Sequence, residues 1–174
     1  GRFSPLRLFN VVLPLIDALS YGWSEMHLVH GDLKPENIMM DSSGRVKLTD
    51  FGLAKIRSQN QEDGQACLMT PAYAAPEILT GKSGPCCSSD IYAFGATLYH
   101  LLAGAPVFEH PDPMEIMRLQ VSADPLPLKD RIPGFPETIS DFVAAMLAKD
   151  PWMRPRSWLE VRMALYGAMN SVIP

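Results

Sequence analysis

The sequence predicts a mainly α-helical (α+β) domain in which small β-hairpins are a minor part. Three observations carry this reading. Long apolar segments at 5–24 and 90–104 open with helix-start chemistry. Two short β-prone runs flank the single turn Asp41-Ser42-Ser43-Gly44. The 174 residues show no internal repeat and no linker that would divide them, so one hydrophobic core is expected.

The elements follow in order. Ser4 is a good N-cap and Pro5 a good first helical residue, so a helix is predicted to about Ser24, kinked at Pro14. A polar loop, His30 to Asn37, comes next, then β segments at Ile38–Met40 and Arg45–Thr49. Residues 53–69 are polar and irregular and read as a mobile loop. Ser88 or Ser89 should cap an apolar helix that stops near Gly104. Sixteen prolines are many for this length, and their cluster at 105–136, seven of them, makes that stretch loop-rich, although Asp112-Pro113-Met114-Glu115 starts a helix inside it. Thr138-Ile139-Ser140-Asp141 opens a helix ending near Lys149, and Ser157-Trp158-Leu159-Glu160 is a capping box opening a last helix to about Asn170.

Composition excludes several classes. A net charge of −4 argues against a nucleic-acid partner. Cys67, Cys86 and Cys87 have no framework or metal-ligand spacing and read as reduced thiols, which suits a cytoplasmic domain. Two segments imitate membrane signals. Arg2 and Arg7 precede an apolar run as in a signal peptide, but the chain begins with Gly. The run Ile91–Phe108 contains Gly95 and Gly104 and is stopped by Pro106, so a buried helix fits better than a membrane span. Membrane attachment of a longer parent is left open.

The chemistry sits in His30-Gly31-Asp32-Leu33-Lys34-Pro35-Glu36-Asn37 and in Asp50-Phe51-Gly52. One carboxylate, one lysine and one amide share a loop, and a second carboxylate follows a short hairpin. A hairpin brings its ends together, so Asn37 and Asp50 should be neighbours. An amide oxygen and a carboxylate, completed by phosphate oxygens and water, suit Mg²⁺. Lys34 can neutralise charge on a moving phosphoryl group, and Asp32 can accept or orient the proton of an attacking hydroxyl. These residue types together point to phosphoryl transfer.

The same residues carry a resemblance. His-x-Asp-x-Lys-Pro-x-Asn followed by Asp-Phe-Gly is similar to the catalytic-loop and metal-loop pair of protein kinases. Thr70-Pro71-Ala72-Tyr73-Ala74-Ala75-Pro76-Glu77, Asp90-Ile91-Tyr92-Ala93-Phe94-Gly95 and Asp150-Pro151-Trp152-Met153-Arg154-Pro155 resemble further blocks of that family, in its order. The resemblance covers nearly the whole chain. It implies the large helical C-terminal lobe of the kinase fold over residues 1–174, with a catalytic loop at 30–37, a magnesium loop at 50–52 and an activation segment at 50–77.

The resemblance also implies roles. Asp32 would be the catalytic base, and Asn37 and Asp50 the Mg²⁺ ligands. Lys34 would contact the γ-phosphate of ATP, and Thr70 would bridge Asp32 and Lys34. Met39 would floor the adenine, Thr49 would line the same pocket, and Glu36 would lie near ribose and peptide. Lys34 and Thr70 imply serine or threonine acceptors in a protein substrate. His30 and Phe51 would stack in a hydrophobic spine. Asp90 would hold the catalytic-loop backbone, and Glu77 and Arg154 would form a buried ion pair. His27, His100 and His110 are given no catalytic role, Trp152 and Trp158 read as packing residues, and Glu62–Asp63 as solvated loop.

Departures from the family pattern matter as much. Gly31 replaces the arginine that pairs with a phosphorylated activation segment, so activity should not require that phosphorylation. Ser58 is the only hydroxyl between Asp50 and Thr70. Met69 stands where glycine is common, without a physical explanation. No Gly-rich phosphate loop, no Val-Ala-Ile-Lys strand and no pairing helix Glu are in the sequence, and all would precede residue 1 as a missing N-terminal lobe. The fragment alone should therefore be nearly inactive, with an apolar surface toward that lobe. Two alternatives stay open. Gly31 pulls toward aminoglycoside- or choline-type small-molecule kinases, which share the fold but usually lack the equivalents of Lys34, Glu77 and Arg154. A pseudokinase or truncated binding module is the other, with Asp32, Asn37 and Asp50 standing against it.

Overall fold

The computed structural model describes residues 5–50, 55–56 and 70–172. Ser4, Phe51, Gly52, Ser58, Glu62, Asp63, Cys67 and Met69 lie outside those residues, so the expectations placed on them are not addressed further by the structure.

Helices dominate. Helix α1 (Pro5–Met26) runs unbroken through Pro14 and two residues beyond its expected end. The β-hairpin pairs β2 (Ile38–Met40) with β3 (Val46–Leu48), in the register Ile38↔Leu48 and Met40↔Val46. Its turn is closed by Asp41, whose Oδ1 accepts from the Ser43 and Arg45 amides at 2.9 and 3.0 Å. That is the Asx-turn chemistry expected of Asp in such a loop. A second ladder was not foreseen. Strand β1 (Leu28–Val29) pairs antiparallel with β4 (Lys55–Ile56), inside the stretch expected to be irregular. Two-residue strands carry too little pattern to be read from sequence, and this pairing joins segments 26 residues apart rather than a hairpin.

The centre of the domain is α3 (Cys87–Ala103). Ile91, Tyr92, Phe94, Leu98 and Tyr99 are all within 1% of complete burial, so this helix is apolar on every face because protein surrounds it. Its cap is Cys86, not Ser88 or Ser89. Ser89 acts from the third helical position, accepting from the Cys86 amide at 2.8 Å and donating to the Cys86 carbonyl at 2.7 Å. Gly104 ends the helix in the left-handed region, φ 79°. Gly95 permits close approach of α6 (Glu137–Met146): a Cβ there would sit 2.7 Å from Met146 Cβ. The Phe94 ring meets Trp158 edge to face at 5.5 Å.

The remaining helices surround this core. α2 (Pro76–Leu79) and α5 (Leu128–Arg131) are single turns that the sequence reading missed. α4 (Pro113–Ser122) is capped by Asp112, which accepts from the Met114 amide at 2.9 Å. α6 starts one residue before the predicted Thr138 and ends three residues short of Lys149. The Thr138 hydroxyl is used elsewhere, bonding the Ala168 carbonyl and the Ser171 hydroxyl, so it holds α6 to the end of α7 (Trp158–Asn170) rather than capping. Ser157 caps α7 by accepting from the Glu160 amide, while the Glu160 carboxylate reaches Arg156 N rather than Ser157 N. α1 packs on α7, and α4 packs on α2 and on the 3-10 turn Pro71–Tyr73. Trp158 is buried as a packing residue, but Trp152 is 83% exposed on the 3-10 turn Pro151–Met153, so that expectation fails. Its amide serves the Asp150 cap, and the turn points the indole away from the core.

Candidate active site

Asp32 is the centre of the polar loop. Its carboxylate is nearly buried and receives Lys34 Nζ at 2.5 Å on Oδ2 and the Thr70 hydroxyl at 3.1 Å on Oδ1. Lys34 Nζ also donates to Thr70 Oγ1 at 3.1 Å, so carboxylate, ammonium and hydroxyl form a closed triangle. Asn37, buried at the end of the 3-10 turn Pro35–Asn37, donates from Nδ2 to the Asp32 carbonyl at 2.8 Å and to Oδ2 at 3.4 Å. Pro35 fixes the start of that turn, which aims Asn37 back at the loop. Asn37 is then held across the hairpin mouth, its carbonyl accepting from the Thr49 amide at 2.9 Å and from the Thr49 hydroxyl at 3.3 Å. Asp50 follows immediately, exposed and at φ 60°. Left-handed backbone at a non-glycine residue stores strain of about 1 kcal/mol or more.

The loop is fastened from beneath. Asp90, in the first turn of α3, accepts the His30 amide at 2.7 Å and the Gly31 amide at 3.0 Å. Burial pushes the Asp90 carboxyl up to about 6, and these two amides pull in the opposite direction. Gly31 takes φ 80°, which lets adjacent amides converge on one carboxylate. His30 is buried, and burial holds its imidazole below its ordinary value. Thr49 O can only accept, so Nε2 carries the proton of the 3.2 Å bond, and Nδ1 accepts from the Asp32 amide at 3.4 Å.

A second fastening holds the far end of the segment after Thr70. Glu77 and Arg154 pair bidentately at 2.7 and 2.8 Å with almost no exposure. The other Arg154 protons go to the carbonyls of Ala148, Ser88 and Lys149, so all five guanidinium N–H groups are used.

Sequence comparison adds one decisive finding: the protein kinase domain profile matches residues 1–164. This chain belongs to the protein kinase family. It is 33% identical over 158 residues to the probable serine/threonine-protein kinase PknB of Corynebacterium glutamicum, covering 87% of this chain and 24% of that protein. It is 30% identical to the serine/threonine-protein kinase PknB of Mycobacterium tuberculosis, over 100% of this chain and 28% of that protein. With the serine/threonine-protein kinase YPK2/YKR2 of Saccharomyces cerevisiae it shares 32% identity, over 88% of this chain and 22% of the relative. The kinase chain thus spans about a quarter of the length of these curated relatives.

The donor set of this kinase chain fits Mg²⁺. The Asp32 carbonyl can only accept, so Asn37 must present Nδ2 to it and turn Oδ1 the other way. Both Asn37 side-chain bonds are donated, which leaves Oδ1 without a protein partner among the described residues. That free oxygen, on a residue whose carbonyl bonds Thr49 just before exposed Asp50, matches the hard oxygen ligands Mg²⁺ prefers. Among the described residues no group of three His, Cys, Asp or Glu could hold a metal, so the ion would rest on few protein oxygens plus phosphate and water.

Other predicted residues are less engaged. Met39 is 56% exposed on β2 with Lys47 opposite, and Glu36 is exposed as well. The sequence reading missed three partners. The Tyr73 hydroxyl bonds His100 Nδ1 at 2.7 Å beneath parallel rings, with the phenol raised above its ordinary value by burial. Gln120 is completely buried on α4, four residues after half-buried Ile116. Lys149 donates into the same cluster. The available signal was Gln120 itself, a polar residue where the helical period places a buried one.

Proposed function

We propose that this chain is the catalytic and magnesium-holding part of a serine/threonine protein kinase, which transfers the γ-phosphate of ATP to serine or threonine hydroxyls of proteins. The triangle of Asp32, Lys34 and Thr70, next to the free Asn37 oxygen, carries the reading. Asp32 accepts and orients the proton of the incoming hydroxyl, as a positioned carboxylate can. Lys34, held 2.5 Å from Asp32, balances charge on the transferred group. Thr70 ties the segment that presents the acceptor to the base, so an acceptor seated on that segment is seated against Asp32. Asn37 and Asp50 hold Mg²⁺, which when bound would neutralise the phosphate oxygens. Met39 and Thr49 line the adenine side, and Glu36 the ribose and peptide side. An N-terminal lobe completes the nucleotide site in this reading, and exposed Met39 and Met40 suit a surface that it would cover. The kinase region is cytoplasmic in this reading.

The test uses the complete protein, labelled ATP, Mg²⁺ and a generic protein acceptor. Wild type should form phosphoserine or phosphothreonine. Asp32→Asn should lose about 10²-fold or more of the rate, the contribution of a positioned base, and Asp50→Asn should lose activity with weakened dependence on Mg²⁺. No transfer to protein with ATP binding retained would instead favour a small-molecule kinase or a scaffold.

A further inference from the structure

Four polar groups outside the catalytic loop form one directed chain. Lys149 Nζ lies 3.2 Å from the Tyr92 hydroxyl, which lies 2.5 Å from Gln120 Oε1, and Gln120 Nε2 lies 2.6 Å from the Ala72 carbonyl. The direction is forced. A carbonyl only accepts, so Nε2 must face Ala72 and Oε1 must face Tyr92. Tyr92 then donates to Gln120 and accepts from Lys149, which has no acceptor capacity of its own. Lys149 also donates to the Gln120 carbonyl at 2.8 Å, fixing backbone and side chain of one residue together.

The ends of this chain differ in kind. Tyr92 and Gln120 are completely buried, at 0% exposure each, and Lys149 sits against the rings of Phe108 and Tyr92 at 4.9 and 5.6 Å. The other end is a single carbonyl in the 3-10 turn Pro71–Tyr73, two residues after the Thr70 hydroxyl that bonds Asp32 and Lys34. That turn has few internal bonds, Tyr73 N to Thr70 O at 3.1 Å and Ala74 N to Pro71 O at 3.3 Å. Its placement therefore depends on what grips it from outside: Gln120 from α4, and His100 through the Tyr73 hydroxyl.

We propose that Gln120 is a positioning residue for the protein acceptor, fixing the 71–73 turn so that the acceptor hydroxyl is delivered to Asp32. The inference rests on the kinase reading above. It makes α4 part of the acceptor site without direct contact with ATP or its metal. Loss of the Gln120 amide should let the turn shift, raising the KM for protein while leaving the ATP side alone.

In the complete protein, Gln120→Met keeps the volume and removes both side-chain bonds, and Tyr92→Phe removes only the hydroxyl that orients the amide. Steady-state transfer should show the KM for protein acceptor up about tenfold in Gln120→Met and less in Tyr92→Phe, with the KM for ATP and acceptor-free ATP hydrolysis unchanged. If Gln120→Met does not fold, Tyr92→Phe carries the test. Unchanged acceptor KM in a folded variant, or both KM values and kcat changing together in step with lost thermal stability, overturns the inference. A wild type that transfers nothing to protein overturns the kinase reading and this inference with it. An active wild type with unaltered variants overturns this inference alone.

Discussion

Arg154→Ala should cost folding stability far more than chemistry. The side chain spends all five donors: two on the Glu77 carboxylate and three on the carbonyls of Ala148, Ser88 and Lys149. Its guanidinium also lies 4.8 Å from the Tyr92 ring centroid. Truncation leaves Glu77 ionised at 7% exposure with no counter-charge, and leaves three carbonyls each short of a donor. Breaking a buried pair from one side costs about 3–5 kcal/mol. For a domain of this size each kcal/mol lowers the melting temperature by about 2–4 °C, so a fall of about 6–20 °C is expected. Calorimetry of the kinase transition in the complete protein measures it. Adding Glu77→Ala should cost less than the two single losses combined, because the second change removes the stranded charge. At a temperature where the variant remains folded, phosphate transfer should persist, since Arg154 bonds none of the groups around Asp32. A melting temperature within about 2 °C of wild type would refute the reasoning, as would normal stability with abolished transfer.

Two further outcomes follow from the loop and its support. Burial raises Asp90 to about 6 in the folded chain, above its ordinary 3.8, so folding takes up a proton in that window. The Asp90 contribution to stability is therefore full below about 3.8 and is lost as pH rises through about 6. Its ceiling is about 3 kcal/mol. Melting temperature against pH should fall more steeply from 4.5 to 7 in wild type than in Asp90→Asn, which does not titrate; equal slopes would count against it. Separately, Gly31 offers no cation to a phosphorylated segment, and its amide is committed to Asp90. Ser58→Ala in the complete protein should retain transfer within about threefold of wild type, a difference under about 1 kcal/mol, whereas abolished transfer would show that the segment depends on that hydroxyl.

The fold was legible where a local rule determined it. Asp112-Pro113 and Ser157 start helices as their cap chemistry requires, and the Asp41 turn closes the only hairpin of the described residues. Failures came where a side chain that could act locally was recruited by a distant element. Thr138 looked like the start of α6 but its hydroxyl reaches α7, and Ser89 looked like a cap but serves Cys86 from the third position. The β1–β4 ladder depends on a non-local approach of two short segments, which no local pattern encodes. Within the candidate site, residue types and spacing identified the loop members. The supports on α3 were readable only through the family resemblance, and those on α4 were not read at all.

The missed supports share a physical cause that makes them recoverable in principle. A helix buried on all sides, such as α3, reads as uniformly apolar and even imitates a membrane span, although no helix among the described residues is long and apolar enough to cross one. In such a setting each polar residue must find a partner, since an unpaired buried group costs about 1–3 kcal/mol. Among the described residues no fully buried side-chain nitrogen or oxygen is left unpaired. Asp90 answers to the amides of residues 30 and 31, Tyr92 to Gln120, and Gln120 to the carbonyl of Ala72. The interior polar residues therefore lead outward to the two segments that must be held still, the catalytic loop and the turn after Thr70. Neither segment is a regular helix or strand along its length, so part of the rigidity the chemistry needs is imposed on them by α3 and α4. A polar residue at a buried helical position is thus a signal in this chain. It marks where the scaffold grips irregular backbone that it cannot otherwise hold.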